Sequence, residues 1–344
     1  MKFKFRTLAA AALTCSLAYL AAPAPVYAAP DTEDPAELSE SEDGNYATIY
    51  DMRGDDGTLM SFRPSGVAFL SENRLFVCDS ADQQMHIFDT EGRRFRRMAI
   101  PREVPVPTYS GMARLEGNTF LVTGDHYHSK NAVRFVSAHS VIHKYGVRGE
   151  LFDEDSAQEN YDPNVALRKT GLLGEKLERR MKIDGIAIDQ ENDEIFFGLS
   201  KPWNDDDEYA AIIFTGSLTD VMNRNRKMEL TEHSYDIHCN KIDPLTEQQY
   251  QITDLCHVPG KGLLILMASK QKNDIVFGST QIWYKPNGSE TAQLIGEDIA
   301  PGNFGSGIAA FEKDGLYKLA IVFDNNPAVS SHPSRLMILE DVEL

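Results

Sequence analysis

The chain has 344 residues, 52 of them acidic and 34 basic, for a formal net charge of −18. That balance lacks the basic footprint nucleic-acid binding requires, and it disfavours an anionic membrane surface. With 42% hydrophobic residues there is ample material for a packed core.

The first 28 residues carry Lys2, Lys4 and Arg6 ahead of an apolar run from Leu8 to Ala22, and close on Val26-Tyr27-Ala28. This is the layout of a secretory signal, and the run is too short to span a bilayer comfortably. Export to the periplasm or the extracellular space is expected, with cleavage after Ala28. A lipid anchor on Cys15 is the alternative, although Leu13-Thr14 fits it poorly. Removing residues 1–28 leaves 31 basic residues against 52 acidic ones. No later segment is apolar for long enough to insert in a membrane. The mature chain keeps Cys78, Cys239 and Cys256; one bond between Cys239 and Cys256, or three buried thiols, are the readings open.

Residues 29–45 contain seven acidic side chains and no basic one, the composition of a flexible linker. From residue 46 to 344 a short pattern recurs: a polar residue, Gly, an aliphatic residue, a small residue. It reads SGVAFL from Ser65, SGMARL from Ser110, DGIAID from Asp184 and SGIAAF from Ser306. A fifth copy, TDLCHV from Thr253, has Asp254 in the glycine slot. Each copy alternates like a half-buried strand and is followed by a turn and a second apolar strand: RLFVCD, TFLVTGD, EIFFGLS, LLILMAS and KLAIVFD. Five successive antiparallel meanders predict an all-β fold, a single β-propeller. The slots are spaced by 45, 74, 69 and 53 residues, against about 40–50 per blade, so two blades carry insertions. Asn164 to Lys182 has leucines at helical spacing and is expected as an outer helix. Thr219 to Gln249 is expected as an outer hairpin, with a sixth blade there as the alternative to five. The unpartnered NYATIYDM from Asn45 is expected to close the last blade from the N-terminal side, leaving no open edge.

In such a ring the starts of the first strands and the ends of the second share one channel mouth. That mouth is therefore expected to gather Ser65, Ser110, Asp184, Asp254 and Ser306 with Asp79, Asp125, His126, His128, Lys201, Lys270, Asp324 and Asn325. Asp79, Asp184, Asp254 and Asp324 suit calcium, a hard ion that wants several oxygens, and equally suit unaided turn hydrogen bonds. Lys201 and Lys270 could hold a phosphate or carboxylate. His126 and Asp184 are the candidates for proton transfer, His126 foremost because only LVTGDHYHSKN places histidines at this rim. His126 and His128 lie two apart, but no third ligand at zinc spacing accompanies them.

The SGVAFL…RLFVCDSADQQMHIFD opening resembles the first blade of the esterase-like phytase group of bacterial propellers. RMKIDGIAIDQENDEIFFGLSKP and YQITDLCHVPGKGLLILMAS…TQIWY resemble a related, largely uncharacterised family of exported bacterial propeller proteins. The resemblance implies a propeller fold and a Ser-His pair at the second blade, where GDHYHSKN stands. Relatives often carry Glu before the strand-one glycine and Arg at the place of Lys201, so this chain departs from them at Ser65, Ser110, Asp184, Ser306 and Lys201.

No G-x-S-x-G, H-E-x-x-H or phosphate-binding glycine loop is present. Three functions fit: a monomeric propeller binding a small ligand or an envelope or extracellular protein, a calcium-assisted hydrolase of phosphate esters or lactones, or a structural envelope component. The missing glutamates and nucleophile motifs favour binding.

Overall fold

The computed structural model describes residues 38–40, 46–60, 62–81, 84–99, 108–115, 119–126, 130–137, 182–200, 211–223, 229–235, 237, 242–271, 276–327 and 332–344. Residues 1–28, expected as a secretory signal, and residues 164–181 of the expected helix lie outside them, as do Cys239, His128 and Lys201 and the side chains of Asp125 and His126; Lys182, the last residue of the expected helix, begins a strand.

The protein is all-β, with a β-propeller arrangement. In chain order come β1 (Leu38–Glu40) and β2 (Tyr46–Asp51), then a sheet of β3 (Pro64–Ser71), β4 (Arg74–Asp79), β5 (Gln84–Asp89) and β6 (Arg94–Ala99). A three-stranded sheet follows: β7 (Thr108–Arg114), β8 (Thr119–His126) and β9 (Lys130–Ser137). The third sheet holds β10 (Lys182–Asp189), β11 (Glu194–Ser200), β12 (Ile212–Ser217) and β13 (Thr231–His233), with the short helix α1 (Leu218–Met222) after β12. β14 (Ile242–Asp243) and β15 (Gln248–Gln249) form a small hairpin ahead of the fourth sheet, which comprises β16 (Gln251–Val258), β17 (Gly262–Lys270), β18 (Phe277–Pro286) and β19 (Gln293–Ile299). The last sheet runs β20 (Gly305–Lys313), β21 (Leu316–Phe323), β22 (Arg335–Val342), β2, β1. Among the described residues, strand structure begins at Leu38, inside the stretch whose composition reads as linker, because Leu38–Glu40 pair with Tyr46–Thr48.

The first strands form a closed circuit: β3 packs beside β7, β7 beside β10, β10 beside β16, β16 beside β20, and β20 beside β3. Every seam in that circuit has its own apolar cluster. Phe76 and Phe120 meet at 4.9 Å between the first two sheets, and Phe69 meets Phe311 at 5.5 Å between the last and the first. Such aromatic pairs add about 1 kcal/mol each beyond the area they bury. The strands alternate because one face of each sheet must fill one seam and the other face the next.

The insertion before β16 brings a buried polar network. Asp243 Oδ2 accepts hydrogen bonds from Tyr250 OH (2.8 Å), Ser279 N–H (2.9 Å) and Ser279 Oγ (3.0 Å), while Oδ1 takes the amides of Leu245 and Thr246. Burial opposes ionisation of Asp243, yet these donors outweigh it and leave the carboxyl below its usual range. The network fastens the β14–β15 hairpin to the start of β18, and Thr246 Oγ1 lies 2.9 Å from Ser269 Oγ near the end of β17. Cys78 and Cys256 are free thiols.

Candidate functional site

The recurring polar–glycine pair marks a β-bulge. In all five inner hairpins the first strand carries one residue more than the second at this point: between Pro64 and Val67, Tyr109 and Met112, Ile183 and Gly185, Ile252 and Asp254, and Gly305 and Gly307. A bulge interrupts the ladder, and nearby hydroxyls hold the freed backbone groups. Ser306 Oγ donates to Pro64 O across the seam (2.7 Å) and to Val322 O (3.1 Å). Thr253 Oγ1 donates to Leu266 O (3.3 Å), and Thr123 Oγ1 accepts from Gly111 N–H (2.7 Å). Ser65, Ser110, Asp184 and Ser306 are all buried at these bulges.

The strand-two ends are engaged in a similar way. Asp324 forms an ion pair with Arg63 at 2.9 Å and accepts from Asn326 N–H. Asp79 Oδ1 accepts from Ala81 N–H (2.8 Å), and its Oδ2 lies 3.7 Å from His86 Nε2. Asn325 donates to Asn303 Oδ1 and Pro333 O and accepts from Phe304 N–H. The Lys270 ammonium stands 4.7 Å over the Phe304 ring. Asp125 and His126 end β8, in register with Asn131 and Lys130. Asp79 and Asp324 are thus bound to turn amides and to Arg63 rather than gathered with Asp184 and Asp254 into a calcium-type donor set. No three His, Cys, Asp or Glu side chains among the described residues are placed to hold a metal ion together.

The glycine slots explain the neck of the channel. A Cβ on Gly66 would lie 2.9 Å from Met112 N, and one on Gly111 would lie 2.5 Å from Asp184 O, each on the next inner strand. The one slot with a side chain reaches the same way: Asp254 Oδ2 accepts from Ile308 N–H of β20 at 2.9 Å. The amides of Leu255 and Ile186 also face this carboxyl. Asp254 is fully buried, and its Oδ1 stands 3.1 Å from the Cβ position of Gly111. Burial pushes its pKa well above the carboxylate range; the Ile308 and Leu255 amides oppose that shift, and the Asp184 charge adds to it.

Beyond this neck, toward the ends of the first strands, lies a cavity of about 390 Å³. Its walls come from Val67–Phe69, Met112–Leu115, Ile186–Glu191, Leu255–His257 and Ile308–Phe311, all five inner strands. None of the expected channel-mouth residues whose side chains are described lines this cavity. Its lining lies on the strand-end side of the bulges and of Asp254.

The polar groups here are Arg114, Asp189, Gln190, Glu191 and His257, together with the Cys256 thiol. Arg114 Nη1 donates to Phe69 O of the neighbouring sheet (2.7 Å). His257 Nε2 lies 3.2 Å from Asp189 Oδ2, off the line of a hydrogen bond, and its ring is parallel to Phe196 at 6.2 Å. Burial holds the imidazole below its ordinary pKa against the opposing pull of Asp189 and Glu194. Burial also works against the charge of Asp189, but hydrogen bonds from Asn192 and Glu191 leave it below the usual range. A neutral imidazole therefore faces a carboxylate. Burial drives the Cys256 thiol up to about 12, so it is no thiolate nucleophile at neutral pH. In the sequence this end shows only as polar residues after apolar runs: β7 and β10 end in Arg114 and Asp189, and β16 carries His257 next to its end, but polar residues of the same kind stand at the other mouth and do not single this one out.

No protein-family model matches the sequence, and no curated protein matches it. Solved structures with similar folds include the major allergen Mala s 1 of Malassezia sympodialis, 10% identical over 85% of this chain and 96% of that one, with a TM-score of 0.48. An endo-arabinase from Bacteroides thetaiotaomicron is 10% identical over 86% and 99%, with a TM-score of 0.48. The PQQ-bound aldose sugar dehydrogenase of Streptomyces coelicolor is 12% identical over 86% and 98%, with a TM-score of 0.42. The structural neighbours are β-propeller proteins, and the likeness ends at that general arrangement.

Proposed function

We propose that this protein is an exported five-bladed β-propeller that binds a small ligand in its channel, entering from the mouth ringed by Arg114, Gln190, Glu191 and His257. The observation that carries this reading is the cavity of about 390 Å³ enclosed by all five inner strands, apolar along its walls and polar at its rim. Small-molecule sites have that size and that division of surfaces. The closed circuit of inner strands supports five blades over six, and the layout of residues 1–28 supports export. The high pKa of Cys256 favours binding over thiolate chemistry. Resemblance to the exported propeller family related to esterase-like phytases agrees with this reading without naming a ligand.

The test is a thermal-shift screen of sugars, phosphates and lactones on the mature protein, followed by calorimetry on any hit. A ligand is expected to raise the melting temperature, and Arg114→Ala is expected to leave the fold intact while removing that shift. A hit that binds Arg114→Ala as well as the parent would place the site elsewhere, and a screen without a hit would favour a structural envelope role. A melting temperature raised by millimolar calcium and restored by EDTA would instead favour the calcium-assisted hydrolase.

A further inference from the structure

β6 is the outer strand of the first sheet and runs against the charge of the rest of the molecule. Arg93, Arg94, Arg96 and Arg97 are four of five consecutive residues in a chain of net charge −18. Among the described residues the strand pairs with β5, and only its start is covered on the other side, where Arg94 N–H donates to Arg53 O. The β5–β6 ladder has a one-residue bulge at Phe95, since Phe88 pairs with Arg94 and Ile87 with Arg96. The Phe95 ring stands 60% exposed, with the Arg74 guanidinium 3.9 Å from its centroid. Leu59, 54% exposed, belongs to the same edge: it bridges to Arg53, which bridges to Arg93.

Charge on an open edge ordinarily keeps sheets from pairing with one another. That role needs no aromatic ring held in water beneath a guanidinium. The contacts already on this edge show its chemistry. Arg93 binds the carboxylates of Asp89 (3.1 Å) and Glu91, and Arg94 binds Asp55 (2.7 Å). Arg53, Arg74 and Arg97 are in contact with a carbonyl oxygen of Gly57, the Phe95 ring and the Gln84 amide oxygen.

We propose that the β6 edge docks an extended acidic polypeptide segment. Beyond the bulge, the backbone from Arg96 to Ala99 offers the alternating donors and acceptors that an added strand requires. The guanidinium groups take its carboxylates by charge-assisted hydrogen bonds, as Arg93 and Arg94 already do with Asp89, Glu91 and Asp55, and Phe95 with Leu59 takes an apolar side chain. A second copy of this arginine-rich edge is repelled, so the surface selects an acidic strand over self-pairing.

The test is fluorescence anisotropy of the mature protein with a synthetic peptide of alternating Glu and Val. Binding is expected to weaken with salt and to fall by about tenfold or more in Phe95→Ala and in Arg97→Glu. Both sites are at the surface, and unchanged melting temperatures confirm that the variants are folded. A peptide with Pro at alternate positions keeps the charge but cannot pair as a strand, and it is expected not to bind. Equal binding of the Pro peptide, or equally tight binding of dextran sulfate to the same residues, would overturn the proposal in favour of a general anion surface. Absence of binding by the Glu-Val peptide would overturn it outright.

Discussion

Asp254 occupies the slot where the other four inner strands carry glycine, and its carboxyl fills the space those glycines leave. Burial raises its pKa in the folded protein, so between the usual carboxylate range and that raised value the folded chain holds a proton the unfolded chain has released. Stability then falls as pH rises through that window, on the order of 1 kcal/mol for each pH unit. Asp254→Asn keeps an oxygen for the Ile308 amide and removes the proton. Its urea midpoint is expected to lack this decline and to exceed that of the parent at pH 7; a parallel decline in both proteins would assign the effect to another group. Gly111→Ala probes the same neck from the other side. Its methyl group would meet Asp184 O at 2.5 Å, and overpacking of that kind costs about 1–3 kcal/mol, measurable as a lower urea midpoint at unchanged slope.

Elements carry a different logic, seen in the hairpin of β14 and β15. Its strands are two residues each, too short to hold a place by pairing alone, and the Asp243 network supplies the fastening. Tyr250→Phe removes one donor to Asp243 and is expected to cost about 1–2 kcal/mol. Because the Asp243 carboxyl titrates below its usual range in the fold, its contribution is present above that range and lost as pH falls through it. The variant should therefore lose less stability than the parent between neutral and acid pH, as followed by chemical denaturation. The sheets were legible in the sequence because each inner strand repeats a bulge motif, and its polar–glycine signature stands out from alternating apolar residues. Which mouth carries the cavity was not legible. A bulge residue's side chain is directed by the extra residue in the register, and Ser306 or Asp184 reads the same in sequence whether it faces a channel or a seam. The Asp243 network was hidden for a similar reason: its partners Tyr250 and Ser279 lie 7 and 36 residues away.

For the whole molecule, closure of the ring depends on a strand from the other end of the chain. β2 pairs with β22 from Ala47↔Leu339 to Asp51↔Arg335, and Arg335 Nε donates to Asp51 Oδ1 at 3.1 Å. Ala47 sits in the seam between the fourth and last sheets, while Met52 and Phe62 enter the seam between the last and the first. Joining the two ends of the chain within one sheet makes opening of the ring require the loss of a whole strand, and it covers an edge that would otherwise template aggregation. Two truncations separate the strand from the segment before it. Removing residues 1–45 keeps the β2–β22 ladder and is expected to leave a monomer with a melting temperature close to that of the chain from residue 29 onward. Removing residues 1–51 deletes β2, exposes the outer edge of β22, and is expected to lower the melting temperature by more than about 5 °C, with soluble aggregates in size-exclusion chromatography. If the two truncations melt alike, closure does not rest on β2. If the shorter truncation alone destabilises the protein, the β1–β2 pairing contributes more to closure than the ladder to β22.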